Sequence, residues 1–178
     1  MKKLISIVLI VLFFLTSMLM AFAMGTPTLS VSSAVADTGD IVVLNVVVEN
    51  NPGINTFSLG FDYDDSKIEL LEVTVNDNLG GQFIYKKKAV WLNGKDISYN
   101  GNLLELKFKV LDTAKPGEAT VSLTCSSGDI SNYNEEDIDF KFVSGKIVVG
   151  DSDEITFLIQ KIVSILKKII EILNNMLF

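Results

Sequence analysis

The sequence predicts an all-β fold, an antiparallel sandwich or jelly roll, followed by one C-terminal amphipathic α-helix. Three observations carry this. Short runs rich in Val, Ile, Phe and Thr recur between residues 28 and 149 with no helical period between them. Turn signals separate nearly all of them: Asp37-Thr38-Gly39-Asp40, Asn51-Pro52-Gly53, Asn78-Leu79-Gly80-Gly81, Asn100-Gly101-Asn102 and Lys115-Pro116-Gly117. Past Glu154 the spacing of apolar residues changes to a helical one.

At the start, Lys2 and Lys3 form a positive region, Leu4 to Leu15 an apolar one, and Ala21-Phe22-Ala23 a small-x-small cleavage site. Residues 1–23 therefore read as a signal peptide, cleaved after Ala23, and the protein as exported. The competing reading is an uncleaved membrane anchor, since the apolar run extends to about Met20.

Nine strands are expected: Thr28–Ser32, Ile41–Glu49, Asn55–Tyr63, Ile68–Val75, Gln82–Lys86, Ala89–Asn93, Leu103–Val110, Ala119–Thr124 and Phe140–Val149. Ile41, Val43, Val46 and Val48 supply the β-branched side chains of a half-buried strand. Phe57, Leu59, Phe61 and Tyr63 alternate with Thr56, Ser58, Gly60 and Asp62, so one face meets a core and the other is free. Leu104, Leu106, Phe108 and Val110 oppose Glu105, Lys107 and Lys109 in the same way.

Residues 24–150 thus form one sandwich, and 151–178 a separate segment. There, Gln160, Lys161, Ser164, Lys167, Lys168, Glu171, Asn174 and Asn175 fall on heptad positions b, c and f. Positions a, d, e and g are all apolar, a face too wide for a two-stranded seam. Such a helix, spanning about 154–178, suits a bundle, a membrane surface or an apolar patch on the sandwich. A membrane-spanning role is disfavoured by Lys161, Lys167, Lys168 and Glu171.

Composition removes several function classes. The chain has 22 acidic residues against 15 basic ones, no histidine, and a net charge of −7. Nucleic-acid binding needs the opposite balance. Histidine base chemistry and histidine-built zinc sites are excluded. The lone Cys125 cannot form an internal disulfide and, sharing parity with Val121 and Leu123, is expected to be a small buried hydrophobe.

Two acidic loops invite closer reading: Asp62, Asp64 and Asp65, then Glu135, Glu136 and Asp137. Paired carboxylates could serve a glycosidase, but nothing places the loops across a cleft. Asp62, Asp64 and Asp65 offer a weak calcium possibility, without the glycine and terminal glutamate of an EF-hand loop. A hydrated turn is the favoured reading. Val90 and Leu92 can point inward, sending Trp91 outward as a binding anchor; the reverse phase, with Trp91 in the core, is equally open.

The order of these motifs resembles the cohesin modules of cellulosome scaffoldins over about 28–149. The marks are Gly39-Asp40, Asn51-x-Gly53-Ile54, Phe57, Tyr63-Asp64, Ile68, Gly101-x-Leu103 with Phe108-Lys109-Val110, Ala114-x-Pro116-Gly117 and Gly145-x-Ile147. The resemblance implies a nine-stranded jelly roll, non-catalytic, that binds a dockerin, a small helical module carrying its own calcium. Carried over, contacts would fall on Thr56 and Ser58, on Trp91 and Asn93, and on Ile130, Tyr133 and Glu135 within the 128–135 segment. Thr56 and Ser58 stand where many cohesins have Asn and Asp, so partner specificity is expected to differ. The leading expectation is an exported cohesin-like module that displays a dockerin-bearing partner at the cell surface, its helix meeting a membrane surface or another copy. The alternatives are a carbohydrate-binding module using Tyr85, Trp91, Tyr99 and Tyr133, or a structural surface protein assembling through the helix.

Overall fold

Alternation along the strands sorts side chains between two facing sheets. The computed structural model describes residues 25–150, 159 and 161–170; the expected signal peptide lies outside the described residues. The strands are β1 (Thr28–Val31), β2 (Ala34–Ala36), β3 (Ile41–Glu49), β4 (Ile54–Tyr63), β5 (Ile68–Val75), β6 (Gln82–Tyr85), β7 (Ala89–Ile97), β8 (Gly101–Val110), β9 (Gly117–Thr124), β10 (Ile130–Ser131), β11 (Lys141–Val143) and β12 (Gly145–Val149). One sheet runs β11-β1-β3-β8-β5; the other runs β2-β12-β9-β4-β7-β6, with β10 also pairing β4. The class is the expected β-sandwich, with twelve strands among the described residues rather than nine.

The surplus has a physical cause. The expected strand Phe140–Val149 divides at Ser144, because the chain there passes from one sheet to the other. The N-terminal segment makes the same passage between β1 and β2. The two crossings run side by side, β1 parallel to β11 and β2 parallel to β12, so β11 and β2 each form an edge of a sheet. Gly145 lies at this junction, where a Cβ would press into the backbone carbonyls of Ser32 and Val31. Strand β10 is too short to leave a period in the sequence.

The core lies between the sheets. Leu44, Val46, Val48, Leu104, Leu106, Phe108 and Val110 come from one side, and Phe57, Leu59, Ala89, Trp91, Val121 and Ile147 from the other. Tyr63 meets Phe108 edge-on, with ring centroids 5.3 Å apart. In β3 the buried phase is Leu44, Val46 and Val48, so Ile41 and Val43 face outward rather than inward. Cys125 is exposed, a correction that follows from β9 ending at Thr124, after which strand parity no longer applies.

Asn51 explains why the Asn-Pro-Gly turn has its sequence. Its buried side chain donates to the carbonyls of Ile97 and Tyr99 and accepts from the Gly53 amide. The turn is thereby fastened to the β7–β8 connection, which fixes where β4 begins. Residues 159 and 161–170 are helical and exposed. Among the described residues no helix is long and apolar enough to cross a membrane.

Candidate functional site

The phase of β7 determines what the molecule offers to a partner. Ala89 and Trp91 are buried while Val90 and Leu92 are exposed, so Trp91 points into the core and not outward. The reason lies across the ladder. Trp91 stands between Phe57 of β4 and Phe83 of β6, stacked on Phe57 with centroids 5.4 Å apart and planes 17° from parallel. Its indole Nε1–H donates to the Gly80 carbonyl at 2.7 Å. The Gly80-Gly81 turn wraps closely over this edge. Gly81 has φ +79°, and a Cβ there would collide with the Leu92 carbonyl. Only the core-facing phase both stacks the indole and satisfies its N–H.

With that phase set, the outer face of β4, β7 and β6 carries two rungs in register. Ser58, Val90 and Ile84 form one; Thr56, Leu92 and Gln82 form the other. Ile84 is 60% exposed, Val90 41% and Leu92 51%, which makes a contiguous apolar stripe flanked by two hydroxyls. Thr56 Oγ1 donates to the Trp91 carbonyl at 3.0 Å, so this hydroxyl is held in place by the ladder beneath. The stripe is rigid because every rung belongs to a paired strand.

The rim is built by the loop after β9. The Ser58 amide donates to the Asp129 carbonyl at 2.7 Å, and Ile130 and Ser131 pair with Phe57 and Thr56. Lys88 reaches Asp129 at 2.7 Å. That hydrogen bond, with the Ser126 amide, holds the Asp129 carboxyl below the usual carboxylate range. Further along, the Tyr133 amide donates to Asp96 Oδ1 at 2.6 Å. Lys86 and Lys87 stand exposed at the β6–β7 turn, while Asp96 and Glu135 lie towards the Tyr133 side.

Of the residues expected at the site, Thr56, Ser58, Tyr133 and Glu135 present surface. Trp91 and Ile130 do not: both are buried, on the inward parity of paired strands. Asn93 shares Trp91's parity, is half-buried, and donates to the Leu79 carbonyl at 3.0 Å. Ile84, Val90 and Leu92 take the outward positions instead; Ile84 was not expected on this face, and Val90 and Leu92 face outward only in the second of the two phases the sequence leaves open. Phasing β7 from Phe57, its cross-strand partner, would have found them; the expected span of Ala89–Asn93 was too short to fix a phase.

The acidic loops serve the fold. Asp64 accepts from the Ser66 hydroxyl at 2.5 Å and from its amide, which lowers its pKa with help from Lys67. Asp137 accepts from the Ser127 hydroxyl and the Gly128 amide, and Glu136 from Asn132. No group of three or more acidic or thiol side chains among the described residues is arranged to hold a metal ion. An open cleft of about 450 Å³ lies beside Cys125, Asp137 and Phe140. Partial desolvation of the sulfur and the neighbouring Asp129 and Asp137 push the otherwise exposed Cys125 thiol up. Of Tyr85, Trp91, Tyr99 and Tyr133, only Tyr133 is exposed, so no planar aromatic row exists.

No curated protein matches the sequence. Several solved structures share the fold. A non-cellulosomal cohesin from Archaeoglobus fulgidus superposes with a TM-score of 0.62 at 19% identity, covering 75% of this chain and 97% of its own. The sixth cohesin of Acetivibrio cellulolyticus scaffoldin B, solved in complex with a Cel5 dockerin, gives 0.61 at 22%, covering 71% and 100%. The Coh-OlpA cohesin from Clostridium thermocellum, solved with the dockerin Doc918, gives 0.60 at 17%, covering 71% and 100%. The family model for the cohesin domain matches residues 27–149, the span of both sheets, and the chain therefore belongs to the cohesin domain family.

Proposed function

We propose that this chain is an exported, non-catalytic module that binds a dockerin-bearing protein through the outer face of β4, β7 and β6. The observation that carries the proposal is the apolar stripe of Ile84, Val90 and Leu92, held in register beside Thr56 and Ser58 on a rigid sheet. Family membership supports the choice of partner, since related cohesins have been solved gripping dockerins. A flat, rigid face suits a helical partner that lays an apolar side across it. Affinity then comes from a few desolvated aliphatic contacts at the centre, with hydroxyls and loop groups hydrogen-bonding at the rim. Calcium belongs to the partner in this reading. Lys86 and Lys87 at one end of the stripe, and Asp96 and Glu135 towards the other, favour one orientation of a charged partner.

Immobilised chain, residues 24–178, exposed to dockerin-bearing secreted proteins tests the reading. Capture is expected with calcium and not after chelation. Leu92→Asp, which puts a carboxylate into the middle of the stripe, should weaken capture at least ~30-fold, about 2 kcal/mol. Absence of capture by any dockerin, with retention on insoluble polysaccharide, would move the function to carbohydrate binding.

A further inference from the structure

We infer that the C-terminal helix is an assembly device whose apolar face is covered by further copies of the same helix, in a bundle of about four or more chains. The helix over 159 and 161–170 is exposed in the single chain, and its apolar residues stand open: Ile159, Ile162, Val163, Ile165, Leu166, Ile169 and Ile170 are each 44–57% exposed. In heptad terms Ile159 and Leu166 occupy a, Ile162 and Ile169 d, Val163 and Ile170 e, and Ile165 g. Lys161, Ser164, Lys167 and Lys168 keep to c, f and b. No polar residue interrupts the face.

Three features select a second copy as the occupant. The first is width. A two-stranded seam covers a and d only, and isoleucine at d favours higher-order bundles; apolar e and g in addition require neighbours on both flanks of each helix. The second is charge. A helix lying on a membrane surface typically carries a strongly basic polar face. Here the polar stripe holds Lys161, Lys167 and Lys168 against Glu171 and fills its other four positions with uncharged Gln160, Ser164, Asn174 and Asn175, so the face is only weakly basic, within a chain of net charge −7. The third is composition. Isoleucine and valine are mediocre helix formers, so this segment draws its helicity from packing. The polar positions recur at seven-residue spacing over about two heptads, from Gln160 to Asn175, so the apolar face stays on one side of the helix.

The consequence is a multivalent particle, in which several sandwiches project from one helical hub and bind a clustered partner by avidity. The assembly itself does not depend on what the sandwich binds. Multi-angle light scattering on residues 24–178 should give one sharp species at about four or more protomer masses. Ile162→Asp with Ile169→Asp, which charges two d positions, should reduce it to a single protomer mass while leaving sandwich unfolding unchanged. Ser164→Asp, on the polar stripe, should leave the assembly intact and so separates loss of the seam from loss of the helix. A monomeric wild type overturns the inference, as does a polydisperse aggregate or a double variant that still assembles. Co-sedimentation of wild-type monomer with phosphatidylglycerol vesicles would overturn it in favour of a lipid surface.

Discussion

Replacing Trp91 with alanine separates the two possible roles of this residue cleanly. Were Trp91 an exposed anchor, the change would abolish partner capture and leave stability untouched. The structure requires the reverse. Trp91 is fully buried, stacked on Phe57, and donates to Gly80. Burying an indole removes about 150–250 Å² from water, which at ~25 cal/mol per Å² corresponds to roughly 4–6 kcal/mol. Measured tryptophan-to-alanine losses in cores fall near 3–5 kcal/mol. Loss of the indole hydrogen bond adds little, because Gly80 is exposed and water can replace the donor. A destabilisation of about 4 kcal/mol is expected, a large share of the ~5–15 kcal/mol that holds most domains together. At this chain length that lowers Tm by roughly 8–16 °C. Urea unfolding followed by far-UV circular dichroism reads the change without relying on the tryptophan that has been removed. Unchanged stability, within ~1 kcal/mol, together with lost capture would refute the β7 register and with it the site.

Two further outcomes follow from the fold. Gly145→Ala should cost about 2 kcal/mol or more in urea unfolding, because a Cβ at the sheet-to-sheet crossing presses into fixed backbone carbonyls of Ser32 and Val31. Wild-type-like stability in that variant would mean the paired crossings are not as tight as drawn. Asp129→Asn should flatten the acid limb of stability. A carboxyl lowered in the folded state stabilises it above the ordinary value of 3.8, and that contribution is lost as pH falls through the lowered value. Urea midpoints at neutral and acid pH should therefore differ less in the variant than in the wild type, and an equal difference would argue against the Lys88–Asp129 pairing.

Local chemistry was legible in the sequence wherever a residue's role is settled by its immediate neighbours. Long alternating runs such as Asn55–Tyr63 and Leu103–Val110 fixed their own phase, because several consecutive side chains must agree on which face is buried. The Asn-Pro-Gly turn was legible too, since its backbone needs those residue types whatever surrounds it. Thr56 and Ser58 were placed on the outer face for the same reason. The heptad pattern of the C-terminal segment is likewise a property of the sequence alone.

Tertiary pairing decided the rest. Strand β7 is short on strong alternation, and Val90, Trp91 and Leu92 are all apolar, so either phase satisfies the local pattern. Only the cross-strand partners Phe57 and Phe83, distant in sequence, make the inward tryptophan the better packed choice. That choice turned Val90 and Leu92 outward and created the stripe with Ile84. The division of the last strand at Ser144 depended on parallel pairing with β1 and β2, more than a hundred positions away. Cys125 became exposed because β9 stops one residue earlier. In each case the deciding contact was non-local, and a reading by period along one strand has no access to the strand that lies beside it.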